Sequence, residues 1–421
     1  MASSTAARVC SRTGRVSLST CETVATDTPA ARATSTIVTT LSAPLLPWIV
    51  VAETSTVKRL RKRLRLVTLL HDIRPTRAGA RQGACAVRAV LIEGPGRAAV
   101  TEVPDPRPEA GEVLVRVAAC GLCGTDVHLL DGELSPAPFP LMPGHEFAGE
   151  IVETGPGVDD LAVGDRVAVD PNLPCGRCRW CRAGRGNICQ VWDAIGISRP
   201  GAAAELVAVP ARTCHVLPPQ VSDRAAAMVE PLSCAVHGAS RLPRRTGDHY
   251  LIYGAGTMGL LMAAVVRRSG AASVSMVDIN PARLGFARSF AADHAVERAD
   301  ELDEPDGFDV VVDATGAIPA IEDGLGRVRK GGTFLQFGVA DPAATARFSP
   351  YRVYHQEIDI LGSMAVHHGF APAIELVASG SVDVERLVSD TLPLESYPEA
   401  VEHFRTGSGR KIHLAPGLGA A

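Results

Sequence analysis

Three groups of residues in this chain combine chemical type and spacing in ways that support chemistry. Cys175, Cys178, Cys181 and Cys189 read C-x2-C-x2-C-x7-C. Four thiolates at such spacing wrap one tetrahedral Zn2+ and leave no position open for a substrate, so the implied role is structural. A bacterial iron–sulfur run needs a shorter last gap followed by Pro, whereas Gln190 follows Cys189; zinc is the better match. Taken alone, the cluster also fits a zinc ribbon that binds nucleic acid. The second group is Gly254-Ala-Gly256-Thr-Met-Gly259, set between apolar Tyr250–Tyr253 and the helical composition of Leu260–Arg268, with Asp278 19 residues beyond Gly259. In a dinucleotide-binding turn, Gly254 permits the tight bend and Gly256 lets backbone approach a pyrophosphate. Gly259 lets helix and strand pack closely. A carboxylate at Asp278 accepts hydrogen bonds from ribose hydroxyls and repels a 2′-phosphate, which favours NAD over NADP. Arg283 nearby could instead reach such a phosphate or stack on adenine.

The third group is split between Cys123-Gly-Thr125-Asp126-Val-His128 and Pro143-Gly144-His145-Glu146. Cys, His and a carboxylate are the usual ligand types of catalytic zinc, which keeps one position open for substrate. Either stretch alone is more often a structural Cys or His–Glu pair. The other cysteines lack metal spacing, and Cys120, Cys214 and Cys234, inside the body of the chain, read as small buried hydrophobes.

These residues need two kinds of scaffold. From Val87 onward, short alternating runs (87–93, 112–118, 147–153, 166–169 and 204–209) predict a barrel-like β domain. After about Ser233, apolar runs at 250–253, 273–277, 309–312, 333–337 and 359–361 alternate with helical stretches, which predicts a parallel, doubly wound sheet. A length of 421 residues supports two such domains. No apolar run reaches the roughly 18 residues of a membrane helix. Residues 1–84 carry 13 Lys+Arg against 4 Asp+Glu, leaving 29 against 42 in the remaining 337 residues. An acidic body argues against nucleic acid as partner.

The opening 86 residues are rich in Ala, Ser, Thr and Arg, carry the basic run 58–65, and show no clear period. They read as a disordered or spurious extension rather than a packed domain. A transit-like segment or a basic tether would share this composition. The reading preferred is that translation starts at Val87 from a GTG codon, in keeping with the preference for Arg over Lys.

From Val87 to about Pro416 the chain resembles the medium-chain zinc alcohol dehydrogenases, and within them the polyol, sorbitol-type branch. The stretches that carry the resemblance are CGTDVH at Cys123, GHE at His145, the four-Cys lobe, Val229-Glu230-Pro231-Leu232, and GAGTMG at Gly254. The resemblance implies an α/β plus β architecture. A GroES-like catalytic β-barrel domain spans 87–232 and 366–416 and holds a structural zinc lobe at 173–190, and a Rossmann NAD-binding domain is inserted over 233–365. It implies two zincs per chain, the catalytic one held by Cys123 and His145. Glu146 is a third ligand or near-ligand, and Glu230 lies beside the metal. Thr125 and His128 match the family's proton relay, although a turn hydroxyl and a surface imidazole would look the same; Asp126 reads as a structural acceptor.

The implied reaction is hydride transfer to NAD from a secondary alcohol, whether polyol, sugar alcohol or cyclitol. Threonine or a phosphorylated polyol are alternatives. Sorbitol-type enzymes place an aromatic after the relay His, where Leu129 stands, and the basic residue expected after the last Rossmann strand is missing from Gly362-Ser363-Met364-Ala365. His367 and His368 follow, either near the pocket or as a solvated pair. A non-catalytic or nucleic-acid-binding zinc protein is disfavoured, since Cys123, His145 and Glu146 are all present. The expected partner is a small-molecule alcohol, with no membrane or nucleic acid, in a cytoplasmic homodimer or homotetramer.

Overall fold

A computed structural model describes residues 38–41, 48–51, 86–133, 139–243 and 245–419. Within Met1–Ala78, Val38–Leu41 pairs antiparallel with Trp48–Val51. The other expectations for the N-terminal extension lie outside the described residues.

In the unit Gly79–Ala421 the first scaffold is a seven-stranded sheet centred on Glu112–Gly121. One edge of that strand takes Glu146–Thr154, and the other takes Leu206–Pro210 and then Lys411–Leu414. Alternation explains the packing: Val113, Val115 and Val117 turn inward with Phe147, Ile151, Val167 and Val169 to form one buried cluster. The hairpin Ala86–Gly94/Arg97–Pro104 closes against it through Ala89–Ala204 and Ile92–Leu141 bridges.

The second scaffold is a six-stranded parallel sheet in the order His294–Val296, Ser273–Val277, His249–Tyr253, Phe308–Asp313, Val328–Gln336, Asp359–Gly362. This is the doubly wound order, in which ligands lie beyond the carboxyl ends of the strands. Its strands are buried on both faces. Ile252, Met276 and Val312 enter one cluster, and their neighbours Leu251, Val277 and Val311 enter another. Every β run expected from the sequence is present. Five further strands, Arg97–Pro104, Cys214–Val216, His294–Val296, Val388–Leu392 and Lys411–Leu414, are short or polar and gave no alternating signal. The last two return the chain to the first sheet. The helix Val229–Arg241 runs without interruption past 232/233 and packs against Thr257–Arg268 and Phe370–Ala378.

His413, in Lys411–Leu414, is wholly buried, and neither ring nitrogen has a hydrogen-bond partner. Burial, reinforced by the charges of Lys411 and Arg224, pushes its pKa down from 6.5 to about 3. An imidazole held neutral by the fold contributes stability that is full above 6.5 and is lost as pH falls toward 3. His413→Leu is expected to flatten that acid limb in urea-unfolding midpoints measured across the same window. An unchanged limb would exclude His413 as its source.

Candidate active site

Cys123 occupies the N-cap position of the helix Gly124–Asp131, and Asp126 sits in its first turn. The Asp126 carboxylate is 1% exposed. Its Oδ2 accepts from the Cys123 amide at 2.9 Å and its Oδ1 from the Gly144 amide at 3.0 Å. One buried side chain thus ties together the two loops that the sequence analysis paired, and it lies 3.7 Å from His145 Nδ1. Gly144 has φ +96, and a Cβ there would meet Cys120 Sγ at 2.6 Å and the Ala203 amide at 2.7 Å, so only glycine fits. The result is that ligand atoms of Cys123, His145 and Glu146 all lie within 4.8 Å of one another.

Lys411 joins this cluster unannounced by any sequence motif. It is 4% exposed, its Nζ pairs with Glu146 Oε2, and it donates to the Leu122 carbonyl at 3.0 Å. Burial works against its charge, but Glu146 and Cys123 outweigh burial and raise its pKa. Glu230, in the first turn of Val229–Arg241, lies outside the group of three, with its Oε1 accepting from Cys234 Sγ at 3.6 Å. Burial and then the charge of Glu146 push its pKa up to about 7. A thiol, an imidazole and several carboxylates therefore converge beside Lys411, the one buried Lys or Arg among the described residues, and His145 Nδ1 has no hydrogen-bond partner. That donor set fits a divalent zinc.

Thr125 Oγ1 stands 3.9 Å from Cys123 Sγ. His128 lies on the exposed side of the same helix with Nδ1 2.5 Å from Glu133 Oε2, and no hydrogen bond joins it to Thr125 among the described residues. Leu129 is 1% exposed and packs with Leu122, Leu141 and Tyr397. It faces the core, and its apolar character reflects packing rather than a substrate preference. Cys120 is buried as expected, and Cys234, which packs against the core, also donates to Glu230.

In the four-cysteine lobe all sulfurs are free thiols lying within 4.8 Å of one another. Three pairs stand at 3.5 Å (Cys178–Cys181), 3.9 Å (Cys178–Cys189) and 4.0 Å (Cys175–Cys181). A tetrahedron with Zn–S bonds of about 2.3 Å has edges of about 3.8 Å, so the lobe is spaced for that ion and far too open for disulfides. The amides of Cys181 and Gln190 pull Cys178 down to about 6. Desolvation and hydrogen bonding to its neighbours push Cys181 up to about 12.

On the parallel sheet, Gly254 has φ +99, and a Cβ on Gly259 would meet the Gly254 carbonyl oxygen at 1.9 Å. Asp278, 7% exposed, accepts from the Ala255 amide at 2.7 Å and the Asn280 amide at 2.8 Å. The acid therefore pins the glycine turn as well as facing the strand ends, and Arg283 Nη1 reaches to 3.5 Å from it. Gly256 caps the helix Thr257–Arg268 without a side-chain cap, and nothing lies within 4 Å of its Cβ direction. The bare amides and the open approach fit a pyrophosphate.

The alcohol dehydrogenase GroES-like domain family matches residues 109–219, and the zinc-binding dehydrogenase family matches 257–379. The chain belongs to the zinc-dependent medium-chain alcohol dehydrogenases. Within them it falls in the polyol branch. D-arabinitol dehydrogenase 1 of Uromyces fabae is 36% identical over 340 residues, covering 78% of this chain and 97% of that protein. D-altritol 5-dehydrogenase of Agrobacterium fabrum is 37% identical, covering 73% and 93%. L-threonine 3-dehydrogenase of Rhizobium etli (strain CIAT 652) is 32% identical, covering 74% and 93%. Among solved structures, a protein of Sinorhizobium meliloti 1021 described as a zinc-binding dehydrogenase, bound to NADP, superposes with TM-score 0.76 at 33% identity, covering 79% of this chain and all of that one. The activity is zinc-dependent oxidoreduction of a secondary alcohol with a pyridine nucleotide. No helix among the described residues is long and apolar enough to cross a membrane.

Replacing Lys411 with Met leaves Glu146 buried without its counter-charge. A stability loss of about 3–5 kcal/mol in urea unfolding is expected, with Glu146→Gln in the same chain recovering most of it. A double variant as unstable as the single one would show that the pair is not the cause.

Proposed function

We propose that this dehydrogenase oxidises a polyol, sugar alcohol or cyclitol at a secondary hydroxyl with NAD, using two zincs per chain. The observation that carries the reading is the convergence of Cys123, His145 and Glu146 within 4.8 Å beside a buried lysine. Cys123 and His145 hold the catalytic zinc, Glu146 stands as third ligand or near it, and Glu230 borders the open position. Cys175, Cys178, Cys181 and Cys189 hold the structural zinc. When bound, the catalytic zinc supplies Lewis acidity toward the substrate hydroxyl and the nicotinamide accepts the hydride. The chain's own work is to orient and to move one proton. Thr125 is placed to take the hydroxyl proton as it gives up its own, and the exposed His128, beside Glu133, to release a proton to solvent; the ribose of a bound nucleotide would have to join the two. Glu230, with its pKa near 7, is poised to exchange a proton beside the metal. The catalytic half spans 87–232 and 366–416 with the cofactor half inserted, and pairing of the parallel sheets in a homodimer or homotetramer fits the architecture.

Metal analysis of the purified chain should find two zincs, falling to one in both Cys123→Ser and Cys178→Ser, and a panel of polyols, cyclitols, L-threonine and phosphorylated polyols should show NAD reduction by at least one polyol. Activity confined to L-threonine, or one zinc in the unmodified chain, would overturn the reading. Asp278 supports NAD because its carboxylate, held by the Ala255 and Asn280 amides, would repel a 2′-phosphate. Asp278→Ser is expected to lower kcat/KM for NAD at least tenfold and to raise it for NADP. Equal use of both nucleotides by the unmodified enzyme would refute the preference.

A further inference from the structure

The four-cysteine lobe carries charge as well as thiols. Arg177, Arg179, Arg182 and Arg185 stand between its cysteines, all four exposed, and no acid occurs from 171 to 192. None of the four is in an ion pair among the described residues. Two are held over Trp180, with Arg179 Cζ 4.2 Å and Arg185 Cζ 5.6 Å from the ring centroid. Stacking on an aromatic face orders a guanidinium and leaves its N–H groups free for a carboxylate.

The complement lies on the same chain. After the edge strand His294–Val296, residues 297–306 read E-R-A-D-E-L-D-E-P-D, six acids to one arginine. Glu297, Asp300, Glu301, Asp303 and Asp306 are exposed. Only Asp300 and Glu304 are in ion pairs, with Arg298 and His249 respectively. Buried Ala299 and Phe308 anchor the stretch, so its acids project from fixed backbone. Isolated exposed ion pairs contribute little, whereas several charges meeting as a network contribute together.

The two patches cannot neutralise each other within one chain. The acidic ridge follows one edge strand of the parallel sheet. The lobe is tied to the opposite edge, where Asn187 donates to the Met364 carbonyl at 3.0 Å just beyond Asp359–Gly362. Five strand spacings of about 4.8 Å put the edges about 24 Å apart, against a screening length of about 8 Å at physiological ionic strength. A molecule with opposite charges on opposite edges complements a second copy of itself. A polyanion such as nucleic acid would meet the lobe too, but beyond residue 84 acids outnumber Lys+Arg 42 to 29 and repel it. We propose that the arginine-bearing lobe docks on the acidic ridge 297–306 of a second copy of this chain. A two-fold axis that brings lobe to ridge also brings ridge to lobe, so the contact is made twice and closes. Sheet pairing through the edge strand Asp359–Gly362 would use a different surface. Breaking the lobe contact therefore halves the assembly whether or not the sheets also pair.

The test uses the zinc-loaded full chain in sedimentation equilibrium. Association of the unmodified chain should weaken about tenfold or more between low salt and about 1 M salt, where the screening length falls to about 3 Å. At low salt, Arg179→Glu with Arg182→Glu should halve the mass of the assembly, and so should Asp303→Lys with Asp306→Lys. Mixing the two reversed chains in equal amounts, or joining both reversals in one chain, should restore it, because each negative lobe then meets a positive ridge. Unchanged zinc content and circular dichroism show that each variant is folded. Where a Glu variant is not, Arg179→Gln with Arg182→Gln takes its place and should weaken association about tenfold. A monomer at low salt, an assembly indifferent to either reversal, or a loss that neither mixing nor the joint reversal restores would overturn the docking. Arginine-dependent binding of a duplex oligonucleotide with no change in assembly would assign the lobe to nucleic acid and overturn it as well. None of these readouts depends on the substrate, so the dehydrogenase reading stands or falls separately.

Discussion

The two hydrogen bonds accepted by the buried Asp126 carboxylate are the constraint on which the catalytic half depends. Cys123 and His145 come from loops separated by the poorly patterned stretch 132–142, and nothing local sets the distance between them. Asp126 sets it by accepting from the Cys123 and Gly144 amides at once, with the Gly144 conformation admitting no side chain. A charged group 1% exposed is tolerable only when both oxygens are used, and here both are. Glu146 and Glu230 lie close by, and Lys411 pairs with the first of them. A dication held there would make the affinity of the pocket for metal and the stability of its loops one electrostatic problem.

The nucleotide half solves a similar problem with different parts. Asp278 bridges the end of one strand to the glycine turn that follows its neighbour, accepting from the Ala255 and Asn280 amides. Asp313 does the same two strands along, accepting from the Thr315 and Gly316 amides and from Gln336 Nε2 at 2.7 Å. Carboxylates at strand ends thus shape the crevice before any ligand arrives. The same economy makes Asp278 a poor position for mutation. Its loss removes the acceptor of the Ala255 and Asn280 amides.

The structural lobe serves two roles. Its four sulfurs fold a loop that has almost no apolar core of its own, since the helix Arg179–Arg182 buries no residue. Metal binding there would be folding free energy for this segment. By fixing the lobe, the cysteines also present Arg185 and Asn187 to the parallel sheet, where Asn187 reaches the Met364 carbonyl.

Spacing and residue type alone determined the four-cysteine lobe, the glycine turn with its acid, and ten β runs, five read from alternation and five from apolar character, because each is local: thiol geometry, glycine φ and side-chain patterning act over a few residues. The pairing of Cys123 with His145 and Glu146 was legible only through family resemblance, since the Asp126 bridge between them has no sequence period. Tertiary structure alone decided the rest. Lys411 reaches Glu146 from a strand that returns after the whole parallel sheet has intervened. Leu129, which looked like an altered substrate contact, belongs to the core. His237, His367 and Arg185 meet only because a helix, a loop and a metal lobe converge. Each of these depends on where distant segments pack and on how buried charge is balanced, and that is a property of the folded volume rather than of any window of sequence.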